Sequence, residues 1–139
     1  MGRVFFNTRL NIDAEAMSGT TAYTMLESDS GKTFMVSGGA QSITLLPAAS
    51  LVEGWHCSFV NAESPSGAKT LAAASGIIHG PVKDGGDAVG PSTVGTAVQS
   101  IVIAAASQAG DVCHLFSDGS LYYCHIVSGT NTAYTMTAA

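Results

Sequence analysis

The stretch DSGKTFMVSGGAQSITLLP, residues 29–47, contains two strand-like runs separated by a turn signal. Thr33–Val36 forms the first run and Ser42–Leu46 the second, and both contain the β-branched and apolar residues that strands favour. Between them lie Gly38 and Gly39, which adopt positive φ at little cost. The stretch therefore predicts a β-hairpin with a structural role, on which the rest of the chain is built.

Further strand signals lie on either side of this hairpin. WHCSFV, residues 55–60, alternates so that Trp55, Cys57 and Phe59 share one face, which we expect to be the core face. The apolar run 98–106 predicts a strand that is buried on both faces or lies at a subunit contact. TAYTM occurs at residues 21–25 and again at 132–136, which predicts similar strands at both ends of the chain.

A second hairpin is predicted near the C-terminus, where VCHLF and LYYCHIV flank SDGS at residues 117–120. With Asp118 and Gly119 as a two-residue loop, Phe116 would lie opposite Leu121, and Cys113 would lie opposite Cys124. Both faces of this hairpin are largely apolar, so the outer face needs a covering layer, which indicates a partner subunit. Together the strand signals predict an all-β fold, a single small antiparallel β-sandwich or barrel.

Composition limits the possible functions. The 139 residues suffice for one domain, and only 11% of them are charged where about 25% is usual, which predicts an obligate oligomer. A net charge of −5 with five basic residues disfavours nucleic-acid binding. No apolar run reaches the roughly 18 residues that span a bilayer, and the N-terminus lacks a secretory signal. We therefore expect no membrane partner, and reduced cysteines in a protein made in the cytoplasm.

The N-terminal segment differs from the rest of the chain. We expect residues 1–19 to form an extended arm and connector, and residues 20–139 to form the single β domain. The arm carries both arginines and a cluster of apolar residues, which suit strand addition to a neighbouring subunit as well as a first strand of its own fold. Residues 76–95 contain many glycines and two prolines, which predicts a long surface loop.

Candidate reaction chemistry is weak. Each of the three cysteines has a histidine beside it, at positions 56–57, 113–114 and 124–125. Neighbouring residues of a strand point to opposite faces, and no metal-ligand spacing is present, so we predict buried free thiols and no metal site. Gly31-Lys32-Thr33 imitates the end of a phosphate-binding loop, but Leu26 stands where the loop requires glycine. We predict no catalytic residues, no cofactor and no enzyme activity.

Four segments resemble one family of small phage proteins. They are TAYTMLESDSGKTFMV, QSITLLPAA, WHCSFVNAES and AGDVCHLFSDGSLYYCHIVSG, which lie between residues 21 and 129. Their order is similar to that of the tailed-bacteriophage capsid decoration, or cement, proteins. Tyr122 departs from this pattern, because such proteins often have tryptophan there, and so does the extra leucine before Pro47.

The resemblance implies a virion protein that forms homotrimers on the capsid surface and braces neighbouring subunits of the major capsid protein. The residues that it implies for docking on the capsid or on the next trimer are Arg3, Val4, Phe5, Phe6 and Arg9. Two alternatives remain. One is a tail-fibre or baseplate module, and the other is a carbohydrate-binding module with a sugar platform of Trp55, Tyr122 and Tyr123.

Overall fold

The computed structural model describes residues 22–62, 67–73, 77–84, 93–130 and 133–137. This part of the chain is all-β, as predicted, with two short 3-10 helices at Glu27–Asp29 and Ala48–Ser50. Neither helix has the length or the apolar character that crossing a bilayer requires. The strands are β1 Ala22–Thr24, β2 Thr33–Val36, β3 Gln41–Thr44, β4 His56–Asn61, β5 Lys69–Ala72, β6 Ile78–Asp84, β7 Thr93–Val98, β8 Ser100–Ile103, β9 Val112–Ser117, β10 Tyr122–Ser128 and β11 Tyr134–Thr137.

The path of the chain makes both sheets mixed. One sheet has the order β1-β3-β5-β8-β11 and the other β2-β4-β9-β10-β6-β7, so the chain changes sheet at every connection from β1 to β6. A chain that crosses to the other sheet and returns lays each new strand beside the strand two positions earlier, in the same direction. Hence β1, β3 and β5 are parallel neighbours, and so are β2 and β4. The prediction of a purely antiparallel domain is wrong.

The first predicted hairpin is wrong in its pairing, although both of its strands exist. β2 pairs with β4 in the six-stranded sheet, whereas β3 pairs with β1 and β5 in the five-stranded sheet. Residues 37–40, with Gly38 at φ 70°, carry the chain between the sheets instead of turning it back. Phe34 and Val36 of β2 and Ile43 of β3 are all buried. Burying both runs in a shared core stabilises the fold more strongly than pairing the two runs in an isolated two-stranded hairpin would.

The C-terminal hairpin is confirmed as β9 and β10, but its loop is longer than predicted. Ser117 lies opposite Tyr122, so the loop comprises residues 118–121. The Asp118 carboxylate accepts hydrogen bonds from the backbone N–H groups of Ser120 and Leu121, each at 2.8 Å. An aspartate side chain can cap a turn in this way, and it thereby stabilises a loop of four residues. Glycine alone would favour a loop of two residues.

The longer loop shifts the register of the hairpin by two residues. Phe116 lies opposite Tyr123, and Cys113 lies opposite Ile126, so Cys113 and Cys124 do not face one another as predicted. A shift of two residues leaves every side chain on its predicted face, because side chains alternate along a strand. The predicted free thiols are confirmed, since all three cysteines are unbonded.

Side chains of both sheets meet in one hydrophobic cluster. Phe34 and Phe59 stack with centroids 5.3 Å apart, and Tyr23 of the five-stranded sheet lies 5.8 Å from Phe34. Trp55 is 1% exposed and meets the Tyr122 ring edge-on at 6.0 Å. The alternation predicted for WHCSFV is therefore confirmed, and its aromatic residues belong to the core.

A buried carboxylate holds the turn between β1 and β2. Asp29 is 0% exposed, and its Oδ2 accepts hydrogen bonds from Leu26 N at 2.8 Å and from the Tyr23 hydroxyl at 3.0 Å. Its Oδ1 accepts a 2.6 Å hydrogen bond from Lys32 Nζ. Trp55 Nε1 donates to a backbone carbonyl of the same turn at 3.1 Å. Through these hydrogen bonds the DSGK segment connects β1 and the start of β2 to the buried Trp55.

Two predictions on the middle of the chain are wrong. Residues 76–95 are not one long loop, because they contain β6 and the start of β7, with an irregular register between Ile78 and Gly80. The run 98–106 is not one strand, because Val98 ends β7 and residues 100–103 form β8 in the other sheet. A glycine within a strand can allow a bulge like the irregularity near Gly80, so the strand continues past it. A prediction from glycine content alone ends the strand there.

Candidate functional site

All four histidines of the chain lie on the outward face of the six-stranded sheet. His56 is on β4, His79 on β6, His114 on β9 and His125 on β10. Both chain neighbours of His56, His114 and His125 are buried, and so is Ile78 beside His79. We call this surface the histidine face. Its described outward side chains are, from β2 to β6, Thr33, Met35, His56, Ser58, Val60, Val112, His114, Phe116, Tyr123, His125, Val127, His79 and Pro81.

An aromatic row crosses the histidine face. The strand register aligns His56 with Phe116, Phe116 with Tyr123, and Tyr123 with His79. The Phe116 and Tyr123 rings stack with centroids 5.3 Å apart and an interplanar angle of 18°, and the His79 ring lies 6.2 Å from that of Tyr123. Phe116 is 47% exposed. The row is therefore a nearly continuous aromatic strip that is open to contact.

A polar row lies beside it, formed by Thr33, Ser58, His114 and His125. Ser58 Oγ and His114 Nδ1 are 2.7 Å apart, and the His114 and His125 rings stack at 6.5 Å with an interplanar angle of 12°. A hydroxyl bonded to an imidazole is the arrangement of a nucleophile and its base. Among the described residues no carboxylate bonds His114, so this pair lacks the third group that orients a catalytic base.

A third row on this face is apolar from β2 to β10, with Met35, Val60, Val112 and Val127, and the register continues it to position 83 of β6, which is a lysine. Val127 is 40% exposed, and the other three apolar residues are half-buried. None of the described side chains of the histidine face is acidic, and none is lysine or arginine. In a single chain the face therefore presents aromatic and aliphatic groups to water without charges among them, a composition typical of an interaction surface.

One carboxylate borders the histidine face at the hairpin loop. Asp118 Oδ2 accepts a 3.0 Å hydrogen bond from the Tyr123 hydroxyl. Backbone N–H donors of Leu121 and Ser120 lower the pKa of Asp118, because they stabilise its charged form. The hydrogen bond to Asp118 in turn raises the pKa of Tyr123. This edge of the face therefore keeps its negative charge down to low pH.

The three cysteines lie on the opposite side of the same strands, inside the core. Burial raises the pKa of the Cys57 and Cys113 thiols, and it raises the pKa of Cys124 to about 11. Thiolate is the reactive form of cysteine, so both burial and the raised pKa suppress reaction. These thiols are packing groups of the core.

We expect none of the three thiols to react rapidly with Ellman's reagent in the folded protein at neutral pH, and all three to react in denaturant. The control is Ser42→Cys, which adds a thiol at an exposed position of the five-stranded sheet and should react at once without denaturant. Fewer than three reactive groups in the denatured wild type would contradict the assignment of free thiols.

The five-stranded sheet has a different outward face, made of small and hydroxyl side chains. Two rows cross all five strands of this sheet. We call this surface the threonine face, and its rows are Ala22, Ser42, Thr70, Val102 and Thr135, and Thr24, Thr44, Ala72, Ser100 and Thr137. None of these residues is charged or aromatic, so the face offers hydroxyl groups and little apolar surface.

The structure does not place the predicted docking residues, because Arg3, Val4, Phe5, Phe6 and Arg9 lie outside the described residues, with the rest of segment 1–19. The sugar platform proposed for the carbohydrate-binding alternative is wrong in two of its three members. Trp55 and Tyr122 are buried in the core, and the Tyr122 hydroxyl donates to a backbone carbonyl at 2.7 Å. Only Tyr123 reaches the surface.

The sequence analysis did not predict that the four histidines lie on one face of one sheet. It separated each histidine correctly from its neighbouring cysteine, but it did not combine the three strands into one sheet. The alternation was available as a signal, since Trp55, Cys113 and Cys124 are core positions and each adjoins a histidine. Within the described part of the chain, no cluster of three or more histidine, cysteine or acidic residues is arranged to hold a metal ion.

Comparisons with known protein families, with curated protein sequences and with solved structures found no match to this chain.

Proposed function

We propose that this chain is a capsid decoration protein of a tailed bacteriophage, which binds the outside of the head as a homotrimer and stabilises the lattice of the major capsid protein. The observation that carries the proposal is the lack of acidic, lysine and arginine side chains on the described parts of both outward sheet faces. A solitary soluble protein usually covers such faces with charged residues. Faces of this composition suit a protein whose surface is covered by its own copies and by a capsid. The class of partner comes from the sequence resemblance.

We further propose that residues 20–139 form one domain in which the two sheets pack as a sandwich, and that residues 1–19 form an arm. The hydrophobic cluster shared by both sheets supports the sandwich. An arm that adds a strand to a neighbouring sheet would supply the backbone hydrogen bonds that its few apolar side chains cannot replace. The arm residues proposed to dock on the capsid or on the next trimer are Arg3, Val4, Phe5, Phe6 and Arg9.

Antibody labelling of virions, observed by electron microscopy, tests the location. We expect label spread over the head. Label confined to the tail would favour the tail-fibre or baseplate module, and virions without label would overturn both structural roles. In either of these outcomes the decoration proposal fails.

Deletion of residues 1–9 tests the arm. We expect purified protein without these residues to bind heads that lack the decoration protein at least about tenfold more weakly, which corresponds to about 1.4 kcal/mol. The control carries alanine at Asn7, Thr8 and Asn11, which changes the same segment but keeps the assigned residues. Co-sedimentation with heads gives the affinities. Unchanged binding after the deletion would contradict the role given to the arm.

A further inference from the structure

We propose that the histidine face is the contact surface between copies of this chain, turned toward the symmetry axis of the oligomer, and that protonation of its histidines separates the copies. The first part rests on the proposed function, since it assigns a surface to the self-association proposed there. The second part adds a dependence on pH that the proposed function does not require.

The size of the histidine face fits a specific but reversible contact. The five strands from β2 to β6, each about 4.8 Å wide and about six residues of about 3.3 Å long, span roughly 24 Å by 20 Å. Two such faces together bury on the order of 1,000 Å², which is the lower limit for a specific interface. A contact of this size is stable enough to form and weak enough to be broken by a modest change in charge.

The side chains of the histidine face suit a second copy better than a charged partner. The aromatic row of His56, Phe116, Tyr123 and His79 supplies rigid rings, which are enriched at the centres of protein interfaces. The described side chains of this face include no acidic residue, lysine or arginine, so over this part of the surface two copies meet without repulsion between like charges. A strongly acidic or basic partner would find no complementary charge there. The threonine face, by comparison, has no aromatic side chain and little apolar area to bury.

The histidines make this contact sensitive to acid. Histidine is the side chain whose ordinary titration falls between pH 5 and 8, and a charged imidazole is costly to bury without a partner. His114 and His125 already stack in one chain, so their protonation places like charges side by side. Between copies the same charges are repeated across the contact, whereas in separate chains water solvates them.

The other groups around these histidines give little compensating charge. Ser58 bonds His114, the backbone carbonyl of residue 54 lies 2.9 Å from His56 Nδ1, and Tyr123 lies against His79. The neighbouring strands β2, β4, β9 and β10 contribute only neutral side chains to the face besides the histidines. Position 83 of β6 pairs with Val127 and is a lysine, and Asp118 borders the hairpin end through Tyr123. Among the described side chains, Asp118 is the carboxylate that borders the face, and one carboxylate cannot neutralise four imidazolium groups.

Analytical ultracentrifugation of the full chain at pH 8 and pH 5 tests the proposal. We expect an oligomer at pH 8 and a dissociation constant at least about tenfold larger at pH 5, with circular dichroism showing that the chains remain folded. Phe116→Asp, which places a charge in the aromatic row at an exposed position, should give the mass of a single chain at both pH values. The control Thr44→Asp places the same charge on the threonine face and should behave as the wild type.

Replacing both His114 and His125 by glutamine tests the role of protonation, because this variant should lose less of its association at pH 5 than the wild type does. A wild type that is monomeric at pH 8, or an oligomer unaffected by Phe116→Asp, overturns the assignment of the face. An oligomer that dissociates equally in the glutamine variant overturns the role of these two histidines. Since head binding is measured separately, these results leave the decoration proposal to its own test.

Discussion

Replacing Gly80 by alanine is expected to lower the free energy of unfolding by about 3–5 kcal/mol, which combines backbone strain with overpacking. Gly80 has φ 146°, a conformation that side chains other than glycine's hydrogen rarely allow. An added Cβ would also collide with the backbone oxygen of Cys124. Cys124 belongs to β10, which is held between β9 and β6, so the clash cannot be relieved by a small local movement.

Two matched variants separate strain from collision. Gly54→Ala has a positive φ of 88° but nothing within 4 Å of the added Cβ, so it should cost only about 1–2 kcal/mol. Gly39→Ala has open space and no positive φ, so it should be neutral or stabilise by about 0.4–1 kcal/mol. Urea unfolding followed by circular dichroism measures all three. Equal effects at Gly80 and Gly54 would show that β6 does not approach β10 this closely.

Asp29→Ala is the second substitution with a large expected effect, about 3 kcal/mol or more. The change removes the hydrogen bonds that Asp29 accepts from the backbone N–H of Leu26 and from the hydroxyl of Tyr23, and each such loss costs about 1–3 kcal/mol. It also removes the carboxylate that binds Lys32. We give the ion pair itself a small share, because the Lys32 side chain is 24% exposed and solvent screens it.

Glu27→Ala is the matched control, because it removes the same charge from an exposed position of the same turn and should change stability by less than about 0.5 kcal/mol. Asp29→Asn should fall between the two, since the amide oxygen can still accept one of the hydrogen bonds. Thermal and urea unfolding measure the series. Equal stability of the alanine variants at positions 27 and 29 would contradict the structural role of the DSGK turn.

The candidate surface was partly within reach of the sequence. Alternation in WHCSFV and in the C-terminal hairpin identified an inward face with Cys57 and Cys113, and hence an outward face with His56 and His114. It also indicated that the outer face of that hairpin is apolar enough to need a cover. His79 escaped this reasoning, because a glycine-rich context suggested a loop where β6 forms. Its place beside Tyr123 depends on parallel pairing of β6 with β10, which has no local signal.

For β2, β4, β9 and β10 the sequence by itself determined which residues form the strand, and for β4 also which side is buried, because β propensity and alternation are local properties of the chain. Only the tertiary structure decided which strands are neighbours. The runs of residues 33–36 and 41–44 are both strands, yet they lie in different sheets, and each pairs with a strand elsewhere in the chain. Such pairing follows from burying many distant apolar side chains in one core, a collective free energy that no short stretch contains. The same free energy of core burial, by deciding which strands are neighbours, placed four histidines from four strands on one face.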